Sequence, residues 1–292
     1  MDGVVWLASY PKSGNTWTRA FLAAYLGEGA FDLNDLGDGL HHGGLRAIDA
    51  LLGVDPALLR RDEVMAYRPA VAHQLAADLA ARGRRTFAKL HSANLAMDAG
   101  GLPFPAGAGR ALYIVRNPLD VAASMAPFFG WTHDRAVTVL GDDGFVLNER
   151  RDGRFMRILP EPLASWSTHV RSWLDAPGVP VHTLRFEDLK ADAVGAFTRA
   201  LEFVGEAPDP GRVALAVEAA RFENLRQREA DEGFKEHARR ATAPFFRKGR
   251  VGGWRDELTS EQARRVVADH RETMLRLGYA DAVAQVDALP DD

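Results

Sequence analysis

Apolar and polar positions along this chain switch repeatedly between two periods. Residues 4–7 (VVWL) form an unbroken apolar run that reads as a buried strand, and it stops at Tyr10-Pro11, where proline cannot continue a ladder. From Trp17 the run 17–26 (WTRAFLAAYL) places apolar residues at helical spacing, so the opening unit is strand, glycine-containing loop, helix. The same reading predicts a helix over 68–81, opening near Pro69 and ending near Gly83, then a strand over 85–90. A proline and glycine connection at 103–109 leads to a strand of the fully buried kind at 111–115 (ALYIV) and a helix from Pro118 to about 129. Further helices are predicted at 163–174, 191–204 and 212–220, with a strand at 180–186 between the first two. Trp166 and Trp173 share one face of the 163–174 helix, an arrangement more often core than ligand site. Thr259 caps a last helix that runs to about Leu277, with Glu261 early in it. Residues 30–65 read as loop and short helices, 130–162 as an irregular insertion of the kind that often forms binding loops or lids, and 229–257 as polar and glycine-containing. Strands near 4, 86, 111 and 181 separated by helices predict an α/β fold, a parallel sheet wrapped by helices in one domain, with ligands at the carboxyl ends of the strands.

Composition narrows the chemistry. At 292 residues and 47% hydrophobic content the chain can bury a large core. A net charge of −4 argues against a general nucleic-acid binder, so basic residues must act locally. With no cysteine, a disulfide framework, a thiolate zinc site and a cysteine nucleophile are all excluded. The opening MDGVVWLASYPK lacks the basic and apolar regions of a signal peptide, and no run approaches a membrane span, so a cytoplasmic protein without a membrane partner is expected.

The first loop is where charge matters. Backbone N–H groups of residues 12–16 and of the first helical turn would converge on one spot, the helix dipole favours an anion there, and Lys12 adds a cation. A phosphate or sulfate would sit well; a strand–turn–helix with a solvated lysine is the bland alternative. The loop is not a Walker A motif, whose lysine follows a second glycine, because Lys12 precedes the loop's only glycine.

Residues 10–17 (YPKSGNTW) resemble the 5′-phosphosulfate loop of sulfotransferases that use 3′-phosphoadenosine 5′-phosphosulfate (PAPS). The resemblance implies donor contacts from Lys12, Ser13, Gly14, Asn15 and Thr16. Later segments resemble further motifs of that family. In YIVRNPLDVAAS, Arg116 and Ser124 match the 3′-phosphate motif, where a guanidinium can grip phosphate bidentately; neutralising a nearby carboxylate is the alternative. Arg247, Lys248 and Gly249 open a segment similar to the Arg-Lys-Gly-x-x-Gly-Asp-Trp signature that closes over the same phosphate, with Gly253 in place of the aspartate. Trp17 and Phe222 fall where the family stacks adenine, though both could be core. Phe186 stands where a tyrosine is usual and Ala220 where a hydroxyl residue is usual, so a weaker or rearranged purine contact is expected.

Lys89 and His91 end the strand at 85–90 two residues apart, on one side of an extended chain, and resemble the family's Lys-Thr-His motif with Leu90 for threonine. Imidazole, with an ordinary pKa of about 6.5, suits a general base near neutrality. The chain has nine histidines, and only His91 falls in such a motif. Three of the five lysines (Lys12, Lys89, Lys248) fall in these segments, while arginine fills basic positions elsewhere. These sites want a compact ammonium.

The resemblance therefore implies the sulfotransferase fold, a P-loop-like parallel β-sheet flanked by helices, over residues 1–292. It implies PAPS as co-substrate and 3′-phosphoadenosine 5′-phosphate (PAP) as product, with no metal. His91 would act as base, Lys12 would neutralise charge on the leaving phosphate, and Lys89 would hold the sulfuryl oxygens. A small acceptor with a hydroxyl or amine is expected, aromatic or a natural product, its wall formed by Phe128, Phe129, Trp131 and His133. Residues 164–173 look like bacterial sulfotransferases that modify natural products. Family members often pair, and nothing in the sequence decides for or against a homodimer. A P-loop-type kinase and a non-catalytic nucleotide-binding protein of the same fold are the alternatives.

Overall fold

The structure is a computed structural model that describes residues 3–36, 49, 53, 55, 58–83, 85–96, 101–148 and 160–290. Four parallel strands form its central sheet in the order β2-β1-β3-β6: β1 (Gly3–Ser9), β2 (Arg85–Leu90), β3 (Arg110–Val115) and β6 (Val181–Arg185). The near-continuous apolar runs of β1 and β3 follow from their central places, where both faces are covered by helices. Alternate residues point to opposite faces. Trp6, Ala8, Leu90, Tyr113 and Val115 pack on one side with helices α2 (Arg61–Ala81), α3 (Pro118–Phe129), α4 (His133–Leu140), α5 (Trp166–Leu174) and α10 (Ser260–Arg276). On the other side Val5, Leu7, Leu112, Ile114 and Leu184 meet α1 (Asn15–Leu26), α7 (Ala193–Phe203) and α8 (Pro210–Ala219). The short helix α6 (Phe186–Ala191) follows β6 directly, and α9 (Phe222–Glu232) precedes the loop carrying Arg247. No helix among the described residues is long and apolar enough to cross a membrane.

Three predicted boundaries move, each for a local reason. Helix α2 begins at Arg61 and carries Pro69 inside it. Its start is set by the first-turn acids Asp62 and Glu63, the Glu63 carboxylate accepting from the Arg60 amide at 2.8 Å, and these outweigh the proline. The insertion expected at 130–162 contains α4, whose cap Thr132 accepts from the Arg135 amide at 3.2 Å, and whose Ala136, Val137, Val139 and Leu140 are all buried. It also contributes two-residue strands β4 (Val146–Leu147) and β5 (Glu161–Pro162), paired antiparallel. The C-terminal pattern continues past α10 into α11 (Ala280–Asp287). Both tryptophans of α5 are fully buried, Trp173 donating to the Ser92 carbonyl at 3.0 Å. Of the uncertain segment 30–65, residues 37–48 and most of 50–57 lie outside the described residues, and 61–65 belong to α2.

Candidate active site

At the carboxyl ends of β1, β2 and β3 the sheet opens into a cavity of about 660 Å³. The loop after β1 turns tightly because Lys12 takes a left-handed φ of 67° and Gly14 a φ of 109°, and Gly14 is the N-cap of α1. A side chain at Gly14 would start 3.0 Å from the Phe186 ring, so glycine is what lets that ring close on the loop. The Asn15 side chain ties the helix back to the strand, donating to the Leu7 carbonyl at 2.8 Å and to Ser9 Oγ at 3.1 Å.

The structure brings nearly all the sequence-derived residues to this one cavity. Lys12, Gly14, Asn15, Thr16 and Trp17 line it from the first loop, Lys89 and His91 from the end of β2, and Arg116 and Ser124 from β3 and α3. Phe186, Phe222, Arg247, Lys248 and Gly249 complete that set. Ser13 is the exception: it lies fully buried under the loop, off the cavity wall. Of the four residues expected on the acceptor wall, Phe128 and Phe129 line the cavity. Trp131 lines an adjoining lobe instead, and His133 lines neither, its Nε2 lying 3.7 Å from the Glu257 carboxylate.

Cations dominate one end. The Arg116 guanidinium donates to the Lys12 carbonyl at 3.3 Å and to the Arg250 carbonyl at 2.9 Å, which draws the first and last motifs together. Lys12 Nζ sits between two rings, 4.0 Å from the Phe128 centroid and 3.8 Å from that of Phe245. Burial, with Arg116 and Lys89 nearby, pushes its pKa down to about 7. The Phe186 ring lies 4.4 Å under Arg116, so the missing tyrosine hydroxyl leaves a cation–π contact in its place.

Carboxylates hold this cluster in place, Glu236 and Glu257 from outside every motif and Asp120 from within the 113–124 segment. Glu236 accepts from Lys89 at 2.8 Å and from Arg19 at 2.5 Å. Burial alone would raise the Glu236 carboxyl, but the two cations more than reverse it and hold it at about 2. Glu257 takes Arg247 at 2.8 Å and Lys248 at 2.7 Å. Asp120 accepts from the amides of Gly252 at 2.8 Å and Trp254 at 2.9 Å, latching the last loop to the first turn of α3. At Gly253 a Cβ would lie 3.3 Å from Arg250 Nε and 3.7 Å from the Asp120 carboxylate, and nothing in the structure explains glycine in place of the usual aspartate. Gly249 answers to packing, since a Cβ there would lie 2.3 Å from the Phe222 ring, which stands over it.

Histidine tautomers follow from geometry. His169, fully buried and with its pKa pushed down by that burial to about 3, is neutral; its Nδ1 lies 2.7 Å from the Tyr113 hydroxyl and its Nε2 3.0 Å from the His91 carbonyl. Nε2 must therefore carry the proton, leaving Nδ1 to accept from tyrosine. His91 Nδ1 lies 2.8 Å from the Ser9 carbonyl, an acceptor only, so this nitrogen is the protonated one and the basic lone pair of neutral His91 is on Nε2.

Two cavity-lining residues have buried donors without a hydrogen-bond partner among the described residues, Trp17 Nε1 and Arg116 Nε. Buried donors of this kind normally have partners, and an anionic nucleotide supplies acceptors for such groups.

Residues 2–278 match the family described as "Sulfotransferase domain". The chain is 27% identical over 157 residues to sulfotransferase 2A1 of Mus musculus, an alignment spanning 53% of this chain and 52% of that protein. It thus spans about half the length of the mouse relative. With cytosolic sulfotransferase 9 of Arabidopsis thaliana it shares 26% identity over 283 residues, covering 89% of this chain and 75% of the other. Among solved structures, mouse sulfotransferase SULT7A1 complexed with PAP superposes with a TM-score of 0.58 at 19% identity, covering 97% of this chain and 88% of that one. Retinol dehydratase in complex with retinol and PAP gives 0.58 at 18% identity, covering 93% and 81%. At these identities the structural likeness establishes the fold.

Proposed function

This chain belongs to the sulfotransferase-domain family, and on that premise we propose that it transfers the sulfuryl group of PAPS to a hydroxyl or amine of a small, largely apolar acceptor. The observation that carries the reading is the meeting of Lys12, His91, Arg116 and Lys248 on one cavity, although they lie far apart in the chain. The residues present fit the donor. Arg116, Arg247 and Lys248 would hold its 3′-phosphate, the loop from Lys12 to Thr16 its 5′ end, and Trp17 and Phe222 its adenine.

PAPS supplies an activated S–O bond, which breaks to release PAP as the acceptor's bond to sulfur forms. His91 takes the acceptor's proton at Nε2, held in that tautomer by the Ser9 carbonyl. Lys12 faces the leaving phosphate with a charge that strengthens in a site of low dielectric. Lys89, fixed by Glu236, holds an ammonium beside the sulfuryl oxygens. Positioning and electrostatics carry this chemistry, as they do phosphoryl transfer. Phe128, Phe129 and Leu147 offer the acceptor an apolar wall.

The test is turnover of labelled PAPS with a panel of phenols, alcohols and amines. Label is expected on an acceptor with matching release of PAP. In His91→Ala, turnover is expected to drop by about 10²- to 10⁴-fold while PAP affinity stays within about threefold. Tight PAP binding with no transfer to any acceptor would leave a nucleotide-binding protein, and stabilisation by ATP and magnesium instead of PAP would favour a kinase.

A further inference from the structure

Beside the main cavity lies a lobe of about 500 Å³ that the sulfuryl-transfer chemistry does not use. Phe129, Leu147, Asn148, Ala238 and Arg239 line both spaces, so the two adjoin along a shared wall. Aromatic rings form the lobe's floor: Phe129 and Trp131 stack with centroids 4.4 Å apart, and Phe145 meets Trp131 edge-on at 6.1 Å. These rings are only partly buried, so they present faces to whatever enters. At the rim stand Arg239 and Arg240, both exposed, and neither has a carboxylate partner among the described residues. Their backbone is fixed. The Thr242 amide donates to the Pro127 carbonyl at 2.9 Å, and Gly130 approaches the Arg240 carbonyl so closely that a Cβ there would lie 2.4 Å from its oxygen.

We infer that this lobe binds the far end of the acceptor, and that the acceptor class is an elongated aromatic or apolar molecule bearing an anionic group remote from its sulfated hydroxyl or amine. The inference rests on the reading that His91 works on an acceptor in the main cavity. A flat or apolar body buries surface against Phe129, Trp131 and Phe145. A carboxylate or phosphate at its end then reaches two guanidinium forks whose charge no carboxylate among the described lining residues offsets. In a chain of net charge −4, a pair of arginines unmatched among the described residues beside an apolar lobe selects among acceptors by sign of charge.

Calorimetric binding to the full-length protein saturated with PAP tests this without requiring turnover. The probes are 4-alkylphenols of three to seven methylenes ending in a methyl, a carboxylate or an amine. At the chain length that spans the lobe, the carboxylate is expected to bind roughly three- to tenfold more tightly than the amine. That preference should shrink toward unity in Arg239→Gln/Arg240→Gln, while Trp131→Ala weakens all three probes alike. Equal binding of acid and amine at every length overturns the inference, as does a preference that survives both arginine substitutions or appears only when PAP is absent. Acid probes that bind as expected but accept no sulfuryl group would leave this inference standing and reject sulfuryl transfer to them.

Discussion

Lys12 is held in a left-handed backbone conformation between two phenyl rings, with Arg116 and Lys89 as cationic neighbours. Its ammonium is thereby poised near pH 7, and only an incoming anion restores its ordinary basicity. PAP binding near pH 8 should therefore take up close to one proton at this residue, which calorimetry in two buffers of unlike ionisation enthalpy will read; Lys12→Met should remove the uptake. Between about pH 7 and 10.5 the ligand-free fold holds fewer protons on Lys12 than the unfolded chain does. Its penalty to stability, full below pH 7, thus eases as pH rises across that window. Replacing Arg116 by alanine should weaken PAP about ten- to hundredfold more than adenosine 5′-phosphate, which lacks the 3′-phosphate; equal losses would reject the phosphate role. Residues that would touch the ligand were legible in the sequence because they cluster in short motifs. Their counter-ions were not. Glu236 meets Lys89 across 147 positions and Asp120 meets Trp254 across 134, so no local pattern marks either contact. Ser13, read as a donor contact from the same motif, is fully buried and off the cavity wall, which spacing alone does not show.

Elements were read well where one face is apolar and ends are signposted. The Thr259 cap of α10 and the limits of α3 stand where the periodicity put them. Helix α4 was missed because its eight residues are short for a periodic signal and carry a polar first turn, leaving only Thr132 to announce it. Helix α9 has a single buried residue, Leu225, so its sequence looks like loop. What α9 contributes is its first residue, Phe222, against which Gly249 packs at a φ of 55°. Gly249→Ala should push that ring aside and weaken PAP and adenosine 5′-phosphate alike, by about tenfold, since a lost stacking face costs about 1–3 kcal/mol per base. A loss confined to PAP would instead tie Gly249 to the 3′-phosphate.

At the scale of the molecule, ligand and fold share one set of ties. The parallel sheet followed from the alternation of strands and helices, its strand order is seen only in the fold, and the convergence of segments near 12, 116 and 248 came only from the resemblance and is met in the cavity. A ligand joining all three is linked to global unfolding. PAP at a hundred times its Kd should stabilise the chain by about 2.7 kcal/mol, visible as a rise in Tm of a few degrees, and ATP with magnesium should give markedly less. The two ends of the cavity are nonetheless unequally built. Strand ends and helix starts of the core grip the donor side, while the acceptor side includes β4 and β5, two residues each, joined by two ladder pairs and tied to the sheet through the Ala93 amide on the Pro162 carbonyl. On the proposed function, descendants of such a chain can therefore trade substrates by rewriting these two short strands, with little risk to the donor end.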